Sequence, residues 1–113
     1  MHELSLALDV IDLVTEEAGK NDIKDVYEIH IEVGEISGVD AEVFQRAMEI
    51  VLKSSPLGKA EIKIRKTQGI GRCISCDKDF TVSDILACCP DCNGYPSEII
   101  SGKELRVISI VGE

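Results

Sequence analysis

Gly71-Arg72-Cys73-Ile74-Ser75-Cys76 and, after a gap of twelve residues from Cys76, Cys89-Pro90-Asp91-Cys92-Asn93-Gly94 are the stretch on which the reading of this 113-residue chain turns. A Cys-x-x-Cys turn points both sulfurs to one side. Two such turns facing each other supply four thiolates at zinc–sulfur distance with little strain. Glycine and proline beside the pairs (Gly71, Pro90, Gly94) suit the tight bends. The chain has five cysteines, and Cys88 is read as the spare. Choosing Cys89 gives the second pair the spacing of the first and puts proline directly after the first ligand. An odd count, no signal peptide and x-x spacing disfavour disulfides. A redox Cys-x-x-Cys is expected once, at the start of a helix after a strand. Iron is the sharper competitor, because quartets ending in Cys-Pro-x-Cys-x-Gly also hold a single iron. A colourless purified protein decides for zinc.

Outward from the cysteines the chain alternates helix and strand patterns. Leu4, Ala7, Leu8, Ile11, Val14 and Ala18 recur at helical spacing, with Glu3, Ser5, Asp9, Asp12 and Glu16 mostly opposite. Gly19-Lys20-Asn21 is a helix stop, and Tyr27, Ile29, Ile31 and Val33 then alternate with Glu28, His30 and Glu32, a strand with one wet face. Asp40 stands as a helix N-cap before Val43, Phe44, Ala47, Met48, Val51 and Leu52. Pro56 and Gly58 end that helix. Ala60, Ile62 and Ile64 then alternate with Glu61, Lys63 and Arg65, whose charges favour pairing beside the first strand. Past the cysteines, Leu105 to Val111 reads as a last strand whose alternation slips at Ser109.

The expected fold is therefore α/β: two helices packed on a three-stranded sheet, with a zinc-ribbon module inserted before the last strand. Residues 1–68 and 98–113 form the α/β domain and 69–97 the zinc-binding domain. The module holds few apolar residues (Ile74, Phe80, Val82, Ile85, Leu86, Tyr95), so metal must supply its stability.

Composition narrows the partners. The formal charge is −9. Between Gly69 and Ser97 only Arg72 and Lys78 are basic, against Asp77, Asp79, Asp84 and Asp91, and four thiolates on a divalent ion add negative charge. Nucleic acid, which demands clustered Lys and Arg, is thereby disfavoured. No apolar run is long enough to cross a bilayer and no basic-then-apolar leader is present, so no membrane partner and a cytoplasmic location are expected. There is no phosphate-binding glycine loop and no nucleophile beside a base, and a zinc closed by four thiolates has no open position, so no enzyme activity is expected.

Met1-His2-Glu3 is a second metal candidate. Nickel(II) and copper(II) favour square-planar nitrogen coordination, which a free amine, deprotonated backbone amides and the His2 imidazole can together supply. Glu3 adds an amide and a carboxylate, and the first amides of a helix lack intrahelical partners. Taken alone, a histidine near a terminus is more often solvated decoration. His30 lies on the polar side of its strand and reads as solvent-facing. The acids of the first helix read as a solvated face.

Four motifs occur in order: Met1-His2-Glu3-Leu4-Ser5, Val33-Gly34-Glu35-Ile36-Ser37-Gly38-Val39, the two cysteine pairs, and Ser101-Gly102-Lys103-Glu104-Leu105-Arg106-Val107. With them the chain resembles, over essentially its whole length, the HypA/HybF family of hydrogenase nickel-incorporation metallochaperones. The resemblance implies nickel, a transient cargo, on His2 and Glu3, with the Met1 amine as a donor and Asp40 reaching the metal from the opposite side. It implies structural zinc on Cys73, Cys76, Cys89 and Cys92, and the family requires no thiol at Cys88. The implied partners are the GTPase HypB and the large subunit of a [NiFe]-hydrogenase, with monomer and homodimer both left open. The alternative reading is a zinc-ribbon interaction adaptor whose terminal histidine is incidental.

Overall fold

The computed structural model describes residues 2–73, 75–82, 88–94 and 98–113. The elements run α1 (Glu3–Lys20), β1 (Val26–Gly34), α2 (Ala41–Lys53), β2 (Glu61–Thr67), β3 (Ile70–Cys73), β4 (Lys78–Thr81), β5 (Glu98–Ser101) and β6 (Leu105–Gly112). They make two three-stranded sheets, ordered β2-β1-β6 and β4-β3-β5. The second sheet falls between β2 and β6 in the chain, so the expected α/β fold with a module inserted before the last strand is the observed one. Two compact units result: Met1–Glu32 with Asp40–Arg65 and Arg106–Glu113, and Val33–Val39 with Lys66–Leu105. The unit that holds the cysteines thus takes in a loop and strand ends besides residues 69–97.

In the first unit, Ala7, Ile11, Val14 and Ala18 of α1 and Phe44, Ala47, Met48 and Leu52 of α2 form the buried stripes, with Ile29 and Ile31 supplying the sheet side of the core. The crossover through α2 makes β1 and β2 parallel: Glu32 pairs with Arg65, and Glu35 N–H donates to Thr67 O at 2.9 Å. Strand β6 is antiparallel to β1, since Asp25 and Glu113 exchange backbone hydrogen bonds and Gly34 N–H donates to Glu104 O. Leu4, Leu8 and Val43, expected in the core, are about half exposed because they sit at the margin of the helical stripes.

Glu32 departs from the expected wet face. It is only 4 % exposed, and its carboxylate takes Arg106 Nε at 2.8 Å and Arg65 Nη2 at 3.6 Å from the two flanking strands. Both guanidinium groups meet the acid while the arginine side chains stay largely exposed. One expected pair between β1 and β2, Arg65 with Glu32, is therefore present on a covered carboxylate that β6 shares through Arg106, whereas Lys63 bonds Glu61 of its own strand at 3.0 Å.

The second unit has a small core of Cys73, Phe80, Val82 and Cys89, with Ile36, Cys76 and Ile99 packed against it. Strand β3 pairs antiparallel with both neighbours, and its register to β5 shifts between Ile70 and Gly71. Segment Val33–Val39 is bound into this unit by backbone bonds, Gly34 N–H to Glu104 O at 2.7 Å and Ile36 N–H to Gly102 O at 2.8 Å. Gly34 and Gly102 pass so closely that a Cβ on Gly34 would collide with the Gly102 carbonyl, and Gly102 has a φ of 105°. Gly34→Ala is expected to lower stability by about 2 to 4 kcal/mol, because backbone and not a pliable side chain must yield. Urea unfolding reads this directly, and an unchanged midpoint would refute the close crossing.

Candidate metal centre

Cys73 is the last residue of β3, Cys76 lies in the turn that leads through Asp77 into β4, and Cys89 and Cys92 bracket Pro90 and Asp91 in a turn of their own. The four sulfurs all lie within 4.8 Å of one another. Cys73 Sγ stands 3.5 Å from Cys92 Sγ, and Cys89 Sγ stands 3.9 Å from Cys76 Sγ. A tetrahedron of sulfurs about 2.3 Å from a central zinc has edges of about 3.8 Å. These two edges lie close to that value, so the quartet suits a four-thiolate tetrahedral ion. Cys88 is exposed and is not one of this group, whereas the adjacent Cys89 is 1 % exposed within it.

The two turns share one backbone feature. The residue after the second cysteine of each pair is left-handed, Asp77 at φ 52° and Asn93 at φ 59°. The positive-φ bends expected near glycine therefore fall on Asx residues, which tolerate that region because their short polar side chains bond locally. Asn93 N–H donates to Cys89 O at 2.8 Å and Cys89 N–H to Gly94 O at 2.7 Å, closing the second turn on itself. Lys78, two residues past Cys76, reaches Asp91 inside the second pair at 2.9 Å and ties one turn to the other. Sequence reading missed that pair, although a lysine after one Cys-x-x-Cys and an aspartate within the other was the available signal.

The sulfurs differ in acidity. The backbone N–H groups of Cys92 and then Asp91 hold Cys89 down to about 7, while the hydrogen bond to Cys92 and then desolvation push Cys76 up to about 12. Cys89 is thus the sulfur readiest to meet a cation as thiolate, and Cys76 must surrender a proton to the metal as it binds.

The second candidate lies where two helices begin side by side. His2 caps α1 with its backbone, its carbonyl accepting from Leu6 N–H at 2.9 Å, and its exposed side chain makes no capping bond. Asp40 caps α2: its Oδ1 accepts from Glu42 N–H at 3.0 Å and Val43 N–H at 3.2 Å. Glu3 Oε2 accepts from Asp40 N–H at 3.5 Å. The carboxyl of Glu3 is held below its ordinary range, first by its own backbone N–H and also by that of Asp40. Glu3 and Asp40, 37 positions apart, are therefore brought together with His2 next in the chain. Met1 lies outside the described residues. His30 is not part of this group: it is partly exposed and bonds Glu28 Oε1 at 2.8 Å.

Fold and sites define an α/β metal-binding protein carrying an inserted quartet of cysteines. A family model described as HypA, hydrogenase/urease nickel incorporation metallochaperone, matches residues 1–112, and the chain belongs to that family. It is 39 % identical over 111 residues to the hydrogenase maturation factor HypA of Parabacteroides distasonis, covering 98 % of this chain and 96 % of that one. It is 37 % identical over 113 residues to the HypA of Chlorobaculum parvum, covering both chains fully. The solution structure of the Ni metallochaperone HypA from Helicobacter pylori superposes with a TM-score of 0.71 at 26 % identity, over 99 % of this chain and 97 % of that one. Among the described residues no helix is long and apolar enough to cross a membrane.

Proposed function

We propose that this chain is a nickel metallochaperone that takes up Ni(II) at its N-terminus and delivers it to the large subunit of a [NiFe]-hydrogenase in the cytoplasm. The observation that carries this reading is the meeting of Glu3 with Asp40 at two adjoining helix starts, in a chain of the HypA family. Nickel is held by the His2 imidazole, by Glu3 and Asp40, and by the Met1 amine. Cys73, Cys76, Cys89 and Cys92 hold a zinc ion whose four thiolate bonds fix the two turns, and that site serves the fold. The chain is not an enzyme. The energy-dependent step belongs to a GTPase partner, HypB. Residues 1–68 with 98–113 act as the nickel-binding domain and 69–97 as the zinc-binding one.

The site suits delivery. Helix-start amides and exposed side chains are reached from solvent, and protonating the ligands competes with the metal, so the ion can leave without unfolding the core. Equilibrium dialysis of the zinc-loaded protein against nickel tests the reading. One exchangeable nickel per chain is expected, and no stoichiometric nickel would refute it in favour of a zinc-ribbon adaptor.

Asp40 has two roles that substitution separates. Asp40→Ser keeps a capping oxygen and removes the carboxylate, whereas Asp40→Ala removes both. The alanine form is expected to lose about 1 kcal/mol and the serine form only a few tenths. Nickel binding is expected to weaken in both. If only the alanine form bound nickel less tightly, Asp40 would act through the cap alone.

A further inference from the structure

The three-stranded sheet of the first unit has two edges, and the chain treats them differently. Its order is β2-β1-β6, so among the described residues β2 and β6 each have β1 as their one strand neighbour. Strand β2 carries Glu61, Lys63, Arg65 and Lys66 within seven residues, the kind of charged edge that discourages a further strand from adding itself. Strand β6 has no such guard. From Val107 to Gly112 it holds no charge and no proline, yet Ile108 and Val111 are each 44 % exposed and Ser109 is exposed between them. An open groove of about 540 Å³ runs beside it, lined by Val107 to Ile110 of the strand and by Leu13 and Ile23. An edge strand turns alternate backbone N–H and C=O groups away from its sheet, so its natural complement is another strand.

The edge's own sequence selects which strand. Val107-Ile108-Ser109-Ile110-Val111 reads the same in both directions. Two copies laid antiparallel about a two-fold axis at Ser109 set Val107 against Val111, Ile108 against Ile110 and Ser109 against itself. Arg106 then falls opposite Gly112, so no like charges face each other, and every apolar pair joins two β-branched residues. A slip of one residue in either direction puts serine against isoleucine. We propose that β6 is a self-pairing edge, by which two copies of this chain join β6 to β6, centred on Ser109, into one six-stranded sheet ordered β2-β1-β6-β6-β1-β2. That sheet ends on charged β2 at both sides, so assembly stops at two. The matched run is about 17 Å long at 3.4 Å per residue. A contact of that length buries less than the roughly 800 Å² per partner of a standard interface, so the dimer is weak and concentration-dependent. Each copy carries a charge of −9 and Glu17 lines the groove, so the copies repel at long range although the edge itself is neutral. Salt screens that repulsion and strengthens the dimer, whereas it would weaken binding of a basic strand from another protein. The pairing does not depend on which metal the chain carries.

Sedimentation of the full zinc-loaded chain in reducing buffer, over a concentration series reaching about 1 mM, reads the equilibrium. A monomer and a dimer with no larger species are expected, and the dissociation constant is expected to fall several-fold as salt rises from about 0.05 to 0.5 M. Ile108→Lys and, separately, Val111→Lys, both at exposed positions, are expected to raise that constant by about tenfold or more with unaltered far-UV spectra, since a charge must then be seated in the pairing. Ile50→Lys, on α2 at a position 65 % exposed, is expected to leave it unchanged. In a mixture of isotope-labelled and unlabelled chains, contacts between copies detected by filtered NOE are expected from Val107 to Val111. A chain that stays monomeric throughout leaves the edge to another protein's strand and overturns the proposal. A dimer abolished by Ile50→Lys places the second copy on the helical face and overturns it too. So does a dimer that survives both β6 lysines, one that salt weakens, or one whose NOE contacts fall in another register.

Discussion

Cys73→Ala is expected to cost the chain its zinc and to unfold the second unit while the first stays folded. The second unit cannot stand on apolar burial. Val33, Phe80 and Val82 are its buried large side chains among the described residues, apart from the cysteines themselves. At about 1.5–3 kcal/mol each they do not offset the roughly 1–2 kcal/mol of backbone entropy lost per ordered residue. A structural zinc contributes an apparent 10–16 kcal/mol or so, which reverses that balance. Three thiolates cannot close the tetrahedron. The first unit has its own core of Val14, Ile29, Ile31, Phe44 and Met48, with no cysteine in it. Metal analysis with amide exchange reads the outcome: zinc content falls, the Val82 amide that bonds Gly69 O loses protection, and the amides of α1 and α2 keep theirs. Cys88→Ser, at the exposed neighbour, is expected to change none of this. A Cys73→Ala protein with its full zinc would dispose of the quartet.

The second large effect is confined to nickel. His2→Ala is expected to weaken nickel binding by about a hundredfold or more, since loss of a direct ligand exceeds the 10–100-fold typical of an outer-shell partner. Stability and zinc content are expected to stay at the level of the unaltered protein. The side chain is exposed and makes no capping bond, so nothing in the fold depends on it, and any loss of nickel reports ligation. Thermal unfolding, zinc analysis and a nickel titration on one preparation suffice. Unaltered nickel affinity would remove His2 from the site and leave Glu3 and Asp40 as ordinary helix-start residues.

The elements with strong periodicity were legible in the sequence: both helices, the alternating strands and the paired cysteines each follow from a local repeat. Their margins were less so. Periodicity alone does not say where a helical stripe meets its neighbour, which is why Leu4, Leu8 and Val43 emerged half exposed. Alternation likewise placed Glu32 in water, whereas Arg65 and Arg106 arrive from strands far along the chain and cover it. In the candidate nickel site, Asp40 could be identified as a cap from its position before an apolar run, and that cap is present. Its approach to Glu3 is a matter of tertiary packing, and only the family pattern hinted at it. The left-handed Asp77 and Asn93 were hidden because the eye goes to glycine, yet each directly follows the second cysteine of a pair.

The binding of Val33–Val39 into the cysteine-bearing unit bears on how that unit would behave as a separate peptide. A synthetic fragment of 66–105 would contain every cysteine and all three short strands. It would lack Ile36, which packs on the Phe80 and Val82 cluster, and the Gly34 and Ile36 amides that bond Glu104 and Gly102. Such a fragment exposes an apolar pocket and two unpaired carbonyls where the whole protein is closed. Zinc affinities measured on it would understate those of the intact chain, and the seven absent residues, added in trans as a peptide, are the natural reagent for recovering the difference.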